Sequence, residues 1–381
     1  MYSVHQHWDP LKVCVVGRSY PPEFYSWITK PHVRSLFEKI AIETEEDYQN
    51  IIKKLESFGV QILRPELPKD FSVLQSLNGR WQMPPMTPRD YNVMIGNEFY
   101  MNKHTFATVY NNIRDVSWPD CESWDEFYQL PKWIQDECFD LHKLNKTEPG
   151  YYTHQFYENI ADYVSQQGNS ITYNISPEVN GAMVSRIGKD LYFGTPSHQI
   201  NMPEYQQLIG QEFTNTRNHV IETDGHSDAT YCPVCPGLII SLFDVPCYKE
   251  TFPDWEVVYL PGQSWEKVSE FVDLKQKNGG RWWIPGFEYD DDVVDTVEQW
   301  LGHWTGYVEE TVFDVNMLII DPKNVIVFNY NKQVFDALDR YGITPHIVPF
   351  RHRYFWDGGV HCVTSDLHRE GTQQDFFPQR G

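Results

Sequence analysis

Five times along the chain, an amphipathic helix pattern ends near Gly or Asn and runs into a short apolar strand. These helix-then-strand segments are 33–65, 153–175, 204–223, 264–286 and 332–350. Strand or hairpin patterns, with turn sequences such as GN, PG and DPKN, lie between them at 11–17, 90–102, 189–197, 230–242 and 315–328. The chain is therefore predicted to be an α/β protein built from about five ββαβ units.

The units are too short and too numerous for a doubly wound sheet, and the chain has no GxGxxG or GxxxxGKS motif. We expect the five units to close on themselves in a radial arrangement, with loops meeting at a central axis that holds the site. The 381 residues are enough for one large core. We therefore expect a single domain over 1–381, with an insertion or long loop at about 105–150.

The charge balance narrows the classes of partner. Lys and Arg number 31 against 53 Asp and Glu, a net charge of −22, which disfavours nucleic acid and favours a cationic substrate. No stretch approaches the roughly 20 apolar residues of a membrane helix, and no signal peptide is visible. We expect a cytoplasmic protein. Its seven irregularly spaced cysteines do not suggest a disulfide framework.

Polar residues concentrate at strand ends in three segments, 87–98, 222–237 and 358–371. The last contains Cys362 after two glycines. A buried, inert thiol is the common fate of a free cysteine, but glycines let a ligand approach closely. A nucleophilic cysteine needs a nearby base or a lowered pKa. His361 would point to the opposite face of a strand, so we expect a distant histidine to serve Cys362.

His226 is that candidate. If its segment is a strand, Asp228 lies on the same face and could orient the imidazole or bind a cation. The alternative is a loop histidine capped by a local aspartate. Asp90 taken alone reads as a turn residue. The CPVC pair, Cys232 and Cys235, could be half of a zinc or redox site, but no second ligand pair follows, which favours packed thiols.

Taken together, these segments resemble the amidinotransferase family, the glycine amidinotransferase and inosamine-phosphate amidinotransferase group of the pentein superfamily. The resemblance runs from about 10 to 374 and rests on MTPRDYNVMIGNE, SRIGKDLYFG, GHSDAT with PGLII, and YGITPHIVPFRH with GGVHCVTSDLHREG. The last segment is long and gapless, so it has the most weight. The family's fold is a five-bladed α/β propeller of ββαβ units, which agrees with the organisation read from periodicity.

The resemblance implies a ping-pong reaction. Cys362 would attack the guanidinium carbon of a donor, normally L-arginine, expel ornithine and keep the amidino group until an acceptor amine takes it. His226 would act as general acid and base, while Asp90 and Asp228 would hold the guanidinium. The resemblance implies no metal or organic cofactor and only small-molecule partners, and a homodimer is compatible with it.

The sequence departs from the family pattern in three places. Asn180 stands where the family has a catalytic aspartate; it can accept a hydrogen bond but carries no charge. The donor could then be held with less charge, Asp228 or Glu178 could compensate, or the reaction could be changed or lost. Glu309 and Glu310 stand near a serine pair of the glycine enzyme, and this acidic pair predicts a cationic or polyhydroxy amine acceptor.

A third departure points the same way. Val245 replaces an arginine that grips the substrate carboxylate in the glycine enzyme, which puts glycine as acceptor in doubt. Two other functions remain open at this point. A hydrolase of the same superfamily would resolve the Cys362 adduct with water, and a non-catalytic binding protein would keep the fold with a lapsed site.

Overall fold

The computed structural model describes residues 1–75, 80–102, 110, 114–142, 153–173, 179–195, 203–223, 226–242, 248–260, 284, 286–287, 289–301, 314–356 and 358–380. The strands there are β1 Leu11–Val16, β2 Gln61–Leu63, β3 Asn92–Ile95, β4 Glu98–Met101, β5 Ser170–Tyr173, β6 Val184–Ile187, β7 Asp190–Thr195, β8 Arg217–Glu222, β9 Tyr231–Cys235, β10 Leu238–Ser241, β11 Glu256–Tyr259, β12 Leu318–Asp321, β13 Asn324–Val327, β14 Thr344–Ile347 and β15 Thr364–Arg369.

The helices vary widely in length, from one turn to seven. They are α1 Pro31–Glu56, α2 Trp124–Phe127, α3 Lys132–His142, α4 Glu158–Gln166, α5 Pro203–Glu212, α6 Ser227–Thr230, α7 Tyr248–Thr251, α8 Asp291–Thr296, α9 Lys332–Arg340 and α10 Arg353–Trp356. Single 3-10 turns occur at Pro22–Trp27, Phe71–Leu74, Pro88–Asp90, Thr153–Tyr157 and Pro378–Arg380, and Val297–Leu301 continues α8 as a π-helix.

The strands form five three-stranded sheets with one shared plan. Their orders are β15-β1-β2, β3-β4-β5, β6-β7-β8, β9-β10-β11 and β12-β13-β14. In each sheet the central strand is antiparallel to the first strand and parallel to the third. Four sheets begin with a hairpin, whereas β1 takes its antiparallel partner β15 from the other end of the chain. The predicted α/β organisation in repeated ββαβ units is thus present.

Four of the five predicted helix-then-strand pairs are confirmed: α1 with β2, α4 with β5, α5 with β8, and α9 with β14. The remaining predicted pair, a helix at 264–280 followed by a strand at 281–286, lies almost entirely outside the described residues. The strand parallel to β10 is β11, which follows the one-turn helix α7. A helix this short has no amphipathic period to read, so the sequence pattern pointed to the longer segment 264–286, most of which lies outside the described residues.

Helices cover the sheets with one apolar face. In α1 the buried residues recur every three or four positions, which places them in a single stripe: Val33, Phe37, Ile40, Thr44, Tyr48, Ile51 and Leu55. Pro31 suits the first turn because its missing N–H would have no partner there. After the helix, Gly59 has φ +75, a left-handed conformation that favours glycine and turns the chain into β2.

The described part of 105–150 lies between β4 and α4 and contains α2 and α3 but, in its described residues, no strand. It has a small apolar cluster of its own: Tyr110, Trp118, Cys121, Trp124, Phe127, Ile134 and Cys138.

Six cysteines of the described ranges are buried, and none of these six is joined to another in a disulfide. Burial raises the pKa of Cys232 to about 12 and of Cys235 to about 11, so the CPVC pair behaves as packed thiols. Within the described ranges, no helix is both long and apolar enough to cross a membrane.

Candidate active site

Cys362 lies in a turn between α10 and β15, and its side chain is completely buried. Two neighbouring segments fix this turn through backbone carbonyls. The Gly17 N–H at the end of β1 donates to Val363 O at 2.9 Å. Arg89, in the 3-10 turn Pro88–Asp90, donates through Nε to the carbonyls of His361 and Thr364 at 2.7 and 2.8 Å. The sulfur is therefore held by a rigid backbone.

Asp228 is the carboxylate beside the sulfur. Its Oδ2 lies 3.4 Å from Cys362 Sγ and 2.7 Å from His361 Nδ1. The expectation that His361 faces away from Cys362 is wrong, because residues 360–363 form a turn rather than a strand and side chains do not alternate there. Burial lowers the pKa of His361 well below its usual value, and the positive charge of Arg89 lowers it further. His361 is thus neutral, and its Nδ1–H donates to Asp228.

His226 faces a different carboxylate. Its Nδ1 lies 3.9 Å from Asp90 Oδ1, and both side chains are half-buried. The expectation that His226 and Asp228 share one strand face is wrong because Ser227–Thr230 is helix α6, with His226 as the residue before it. The helical turn sends the two side chains to different partners. Cys362 and His361 contact Asp228, whereas His226 is close to Asp90.

Asn180 supports the site through a turn. Its Oδ1 accepts hydrogen bonds from the N–H groups of Ala182 and Met183 at 2.9 and 3.1 Å. In turn, Ala182 O accepts from Asp228 N at 3.2 Å, and Met183 O accepts from the Ser227 hydroxyl at 2.9 Å. The Asn180 oxygen, which we expected to meet a guanidinium, is thus already engaged in shaping the turn that holds Asp228. Glu309, Glu310, Glu178 and Val245 lie outside the described residues.

Asn316, two residues before β12, is a site residue that the sequence reasoning missed. Its Nδ2 donates to Cys362 Sγ at 2.9 Å, and its Oδ1 accepts from the His361 and Cys362 N–H groups at 2.8 and 3.3 Å. One signal was available: an amide side chain next to an apolar stretch such as Met317–Ile320 is buried with it and needs a polar partner. Nothing in the sequence said that the partner lies 46 residues away.

A buried charge cluster lies next to the turn. Asp366 of β15 binds Arg89, Arg186 and Arg369, with nitrogen–oxygen distances of 3.0, 2.8 and 2.6 Å, and all four side chains are buried. Burial alone would raise the pKa of Asp366, but the three guanidinium groups outweigh it and hold that pKa well below its usual value. The cluster leaves an excess of positive charge under the Cys362 turn.

The arrangement can bind a planar cation against a sulfur nucleophile. A carboxylate at 3.4 Å from the sulfur can hold two guanidinium nitrogens and bring their shared carbon to the thiol. In the described part of the chain, one group of side chains is close enough together to hold a metal ion: His32, Asp290 and Asp292. Asp292 already pairs with Lys30, and this group includes no residue of the Cys362 turn.

The chain was compared with known proteins. No family model matches it. Mitochondrial glycine amidinotransferase from Gallus gallus is 25% identical over 411 residues, covering 98% of this chain and 84% of the relative. The L-arginine:L-lysine amidinotransferase of Pseudomonas savastanoi pv. phaseolicola is 21% identical over 348 residues, covering 85% of this chain and 78% of the relative.

A solved structure shares the fold. SxtG, an amidinotransferase from Microseira wollei in the saxitoxin biosynthetic pathway, superposes with a TM-score of 0.60 at 17% identity and covers 99% of both chains. The sequence relatives and this structure all match nearly the whole chain, and all are amidinotransferases. These similarities support a relationship of the chain to the amidinotransferase family and a transferase enzyme.

Proposed function

We propose that the protein transfers the amidino group of L-arginine to an amine acceptor through a covalent amidino intermediate on Cys362, releasing ornithine. One distance carries this proposal: Cys362 Sγ is 3.4 Å from Asp228 Oδ2 in a buried turn. A guanidinium bound by that carboxylate has its carbon within reach of the sulfur. The relative from Pseudomonas savastanoi, named for arginine and lysine, supports arginine as donor.

In the first half-reaction, the sulfur of Cys362 forms a bond to the guanidinium carbon and gives a tetrahedral adduct. The bond from that carbon to the side-chain nitrogen of arginine then breaks. His226 gives a proton to this nitrogen, so that ornithine leaves as a neutral amine. Asp90 Oδ1, 3.9 Å from His226 Nδ1, is placed to orient the imidazole for this step.

In the second half-reaction, the acceptor amine attacks the carbon of the amidino-cysteine. The carbon–sulfur bond breaks, the sulfur leaves as a thiolate, and His226 takes a proton from the acceptor nitrogen. We propose that Asp90 and Asp228 hold the amidino group in both halves. Glu309 and Glu310 are proposed to favour a cationic acceptor; this rests on the sequence alone because both lie outside the described residues.

We further propose that the five sheets are the blades of one propeller and that the whole chain is one catalytic domain. Two backbone features support this. The strands β15 and β3 contact each other, as do β1 and β12, so sheets far apart in sequence are neighbours. The N-terminal segment bridges to two sheets, pairing Val4 with Gly96 in the turn between β3 and β4 and Gln6 with Ile187 of β6.

Mass spectrometry of the intact protein after brief incubation with L-arginine tests the proposed reaction. We expect the mass to rise by one amidino group, with an equal amount of ornithine released, and Cys362→Ala to show neither change. Citrulline formed without any added amine would instead support the hydrolase alternative. If no adduct, no ornithine and no citrulline form, the donor assignment is contradicted and a binding protein is favoured.

A second experiment compares acceptor amines on the enzyme that already carries the amidino group. Glycine, lysine and an aliphatic diamine are added separately, and the loss of the amidino adduct is timed. We expect the diamine or lysine to discharge the enzyme faster than glycine, because an acidic pair attracts a second positive charge and repels a carboxylate. Fastest discharge by glycine would contradict the role proposed for Glu309 and Glu310.

A further inference from the structure

The side-chain amide of Asn316 is clamped between the backbone of the Cys362 turn and the sulfur itself. Its oxygen meets two backbone N–H groups, of His361 at 2.8 Å and of Cys362 at 3.3 Å. Its nitrogen meets Cys362 Sγ at 2.9 Å and the Asp228 carbonyl at 3.4 Å. Asn316 is buried, so water does not compete for these contacts.

The two ends of this amide cannot be exchanged. Backbone N–H groups only donate, so the atom that faces two of them must be the oxygen. The nitrogen is therefore the atom that faces the sulfur, and it only donates. A sulfur accepts an N–H more strongly as a thiolate than as a thiol, so this contact favours the thiolate form.

A glycine in the same turn makes this contact possible. A Cβ built on Gly359 would lie 2.2 Å from Asn316 Oδ1 and 2.6 Å from its Cβ, so any other residue there would push Asn316 away. Neither φ strain nor a turn type requires glycine at this position, since its φ is not in the left-handed region. The second glycine of GGVHC is thus explained by the approach of Asn316.

We propose that Asn316 is a positioning residue that holds the sulfur of Cys362 as a thiolate and directs it toward the guanidinium bound at Asp228. The need for such a donor follows from the charges. The carboxylate of Asp228 lies 3.4 Å from the same sulfur and disfavours a second negative charge there. The Asn316 N–H reaches the sulfur from another side and offsets that repulsion before the cationic substrate binds. The inference rests on the proposed function only in taking Cys362 as the nucleophile.

Asn316→Asp is the sharpest test, because aspartate has the same size and keeps the oxygen that accepts from the two backbone N–H groups while losing the donor. The rate at which iodoacetamide alkylates Cys362, followed by peptide mass, is measured against pH without substrate. We expect the midpoint of this profile to move upward by about one pH unit or more in the variant. Asn218→Asp is the matched control: Asn218 also donates through Nδ2 to a carbonyl, that of Phe213 at 2.8 Å, and lies in β8.

A midpoint equal to that of the native protein, in an Asn316→Asp variant with native circular dichroism, would overturn the proposal. If that variant does not fold, Gly359→Ala displaces Asn316 instead and must shift the same midpoint. Amidino loading is the second readout. We expect the variant to load slowly near neutral pH and to regain its rate at high pH, whereas a merely structural defect would not respond to pH.

The alkylation profile needs no arginine. It therefore separates failure of this inference from failure of the proposed function. A native protein that never loads an amidino group would contradict the proposed reaction, while the alkylation midpoints would still decide whether Asn316 holds the thiolate.

Discussion

Asn180 gives the first prediction, at the scale of single residues. Asn180→Asp keeps an oxygen for the two backbone N–H groups of Ala182 and Met183 and adds a negative charge next to the turn that holds Asp228. We expect kcat/KM for L-arginine to rise by about tenfold, which corresponds to about 1.4 kcal/mol of transition-state stabilisation. Steady-state kinetics measure it. Asn180→Ala, which loses the turn, should lower the same ratio; a rise in both variants would contradict the argument.

His226 gives the second prediction. His226→Gln should lower kcat with L-arginine by about 10² to 10⁴-fold, because the leaving amine then departs without a proton. An isothiourea analogue of the donor, whose thiolate leaving group needs no proton, should lose much less. The comparison of the two donors in single-turnover loading measures the difference. Equal losses would show that His226 acts on something other than the leaving group. His32→Gln, an exposed histidine, is the control.

At this scale the sequence could predict residue types but not partners. The motif placed Cys362, Asp228 and His226 in one site, and the first two are in contact. His361 was assigned to the wrong face because strand alternation was assumed where the chain makes a turn. Asn316 was missed because its contacts join positions 46 residues apart, a pairing created only by folding.

At the scale of elements, the buried charge cluster ties three sheets together. Asp366 lies in β15, Arg186 lies in β6, and Arg186 Nη1 also donates to Met94 O in β3 at 2.7 Å. The same Arg89 that binds Asp366 donates to the carbonyls on either side of the Cys362 turn. Strands from three sheets therefore fix the base on which the candidate nucleophile stands.

Asp366→Asn should remove about 3 to 5 kcal/mol from the free energy of unfolding, because it leaves three buried guanidinium groups without their anion. Urea denaturation followed by circular dichroism measures the change. Lys332→Ala, which breaks the exposed pair with Asp336 at 2.6 Å, should change the free energy of unfolding far less, because water already screens that pair. Similar losses in the two variants would show that the cluster contributes little to holding the sheets together.

The elements themselves were largely predictable because most carry a periodic pattern. Helix α9 buries Val334, Ala337 and Leu338 on one face, and its first N–H groups bind the side chain of Asn331, a common residue at a helix start. By contrast, α7 is a single turn and β11 is only partly buried, so neither pattern was visible. Periodicity fails where an element is shorter than its own repeat.

At the scale of the whole molecule, the two chain ends meet in one sheet. Strand β1 pairs with β15 on one side and with β2 on the other, and the Cys362 turn leads directly into β15. The sequence did not indicate this pairing, because the strands are separated by almost the entire chain. It places the candidate nucleophile where both ends of the protein hold it, so site geometry and global stability should be coupled.

The last prediction concerns the pH dependence of that stability. Burial lowers the pKa of both His7 and His361 well below the usual value, and nearby arginines, Arg186 for His7 and Arg89 for His361, add to the effect. Unfolded histidines bind protons below about pH 6.5, so in that range the unfolded state binds more protons than the folded state. The free energy of unfolding should therefore fall as the pH drops below about 6.5, by about 1.4 kcal/mol per pH unit for each of the two histidines.

Urea denaturation between about pH 7 and about pH 5 measures this slope, and His7→Gln provides the comparison. Glutamine can still accept the Arg186 N–H that His7 Nε2 accepts at 3.1 Å, but it does not titrate. The variant should lose about 1.4 kcal/mol per pH unit of the slope. Asp366 does not confuse the result, because its lowered pKa contributes stability that is lost only as the pH falls below about 4. Equal slopes in the native protein and the variant would mean that His7 takes up a proton as readily in the folded state as in the unfolded chain, contrary to its burial among arginines.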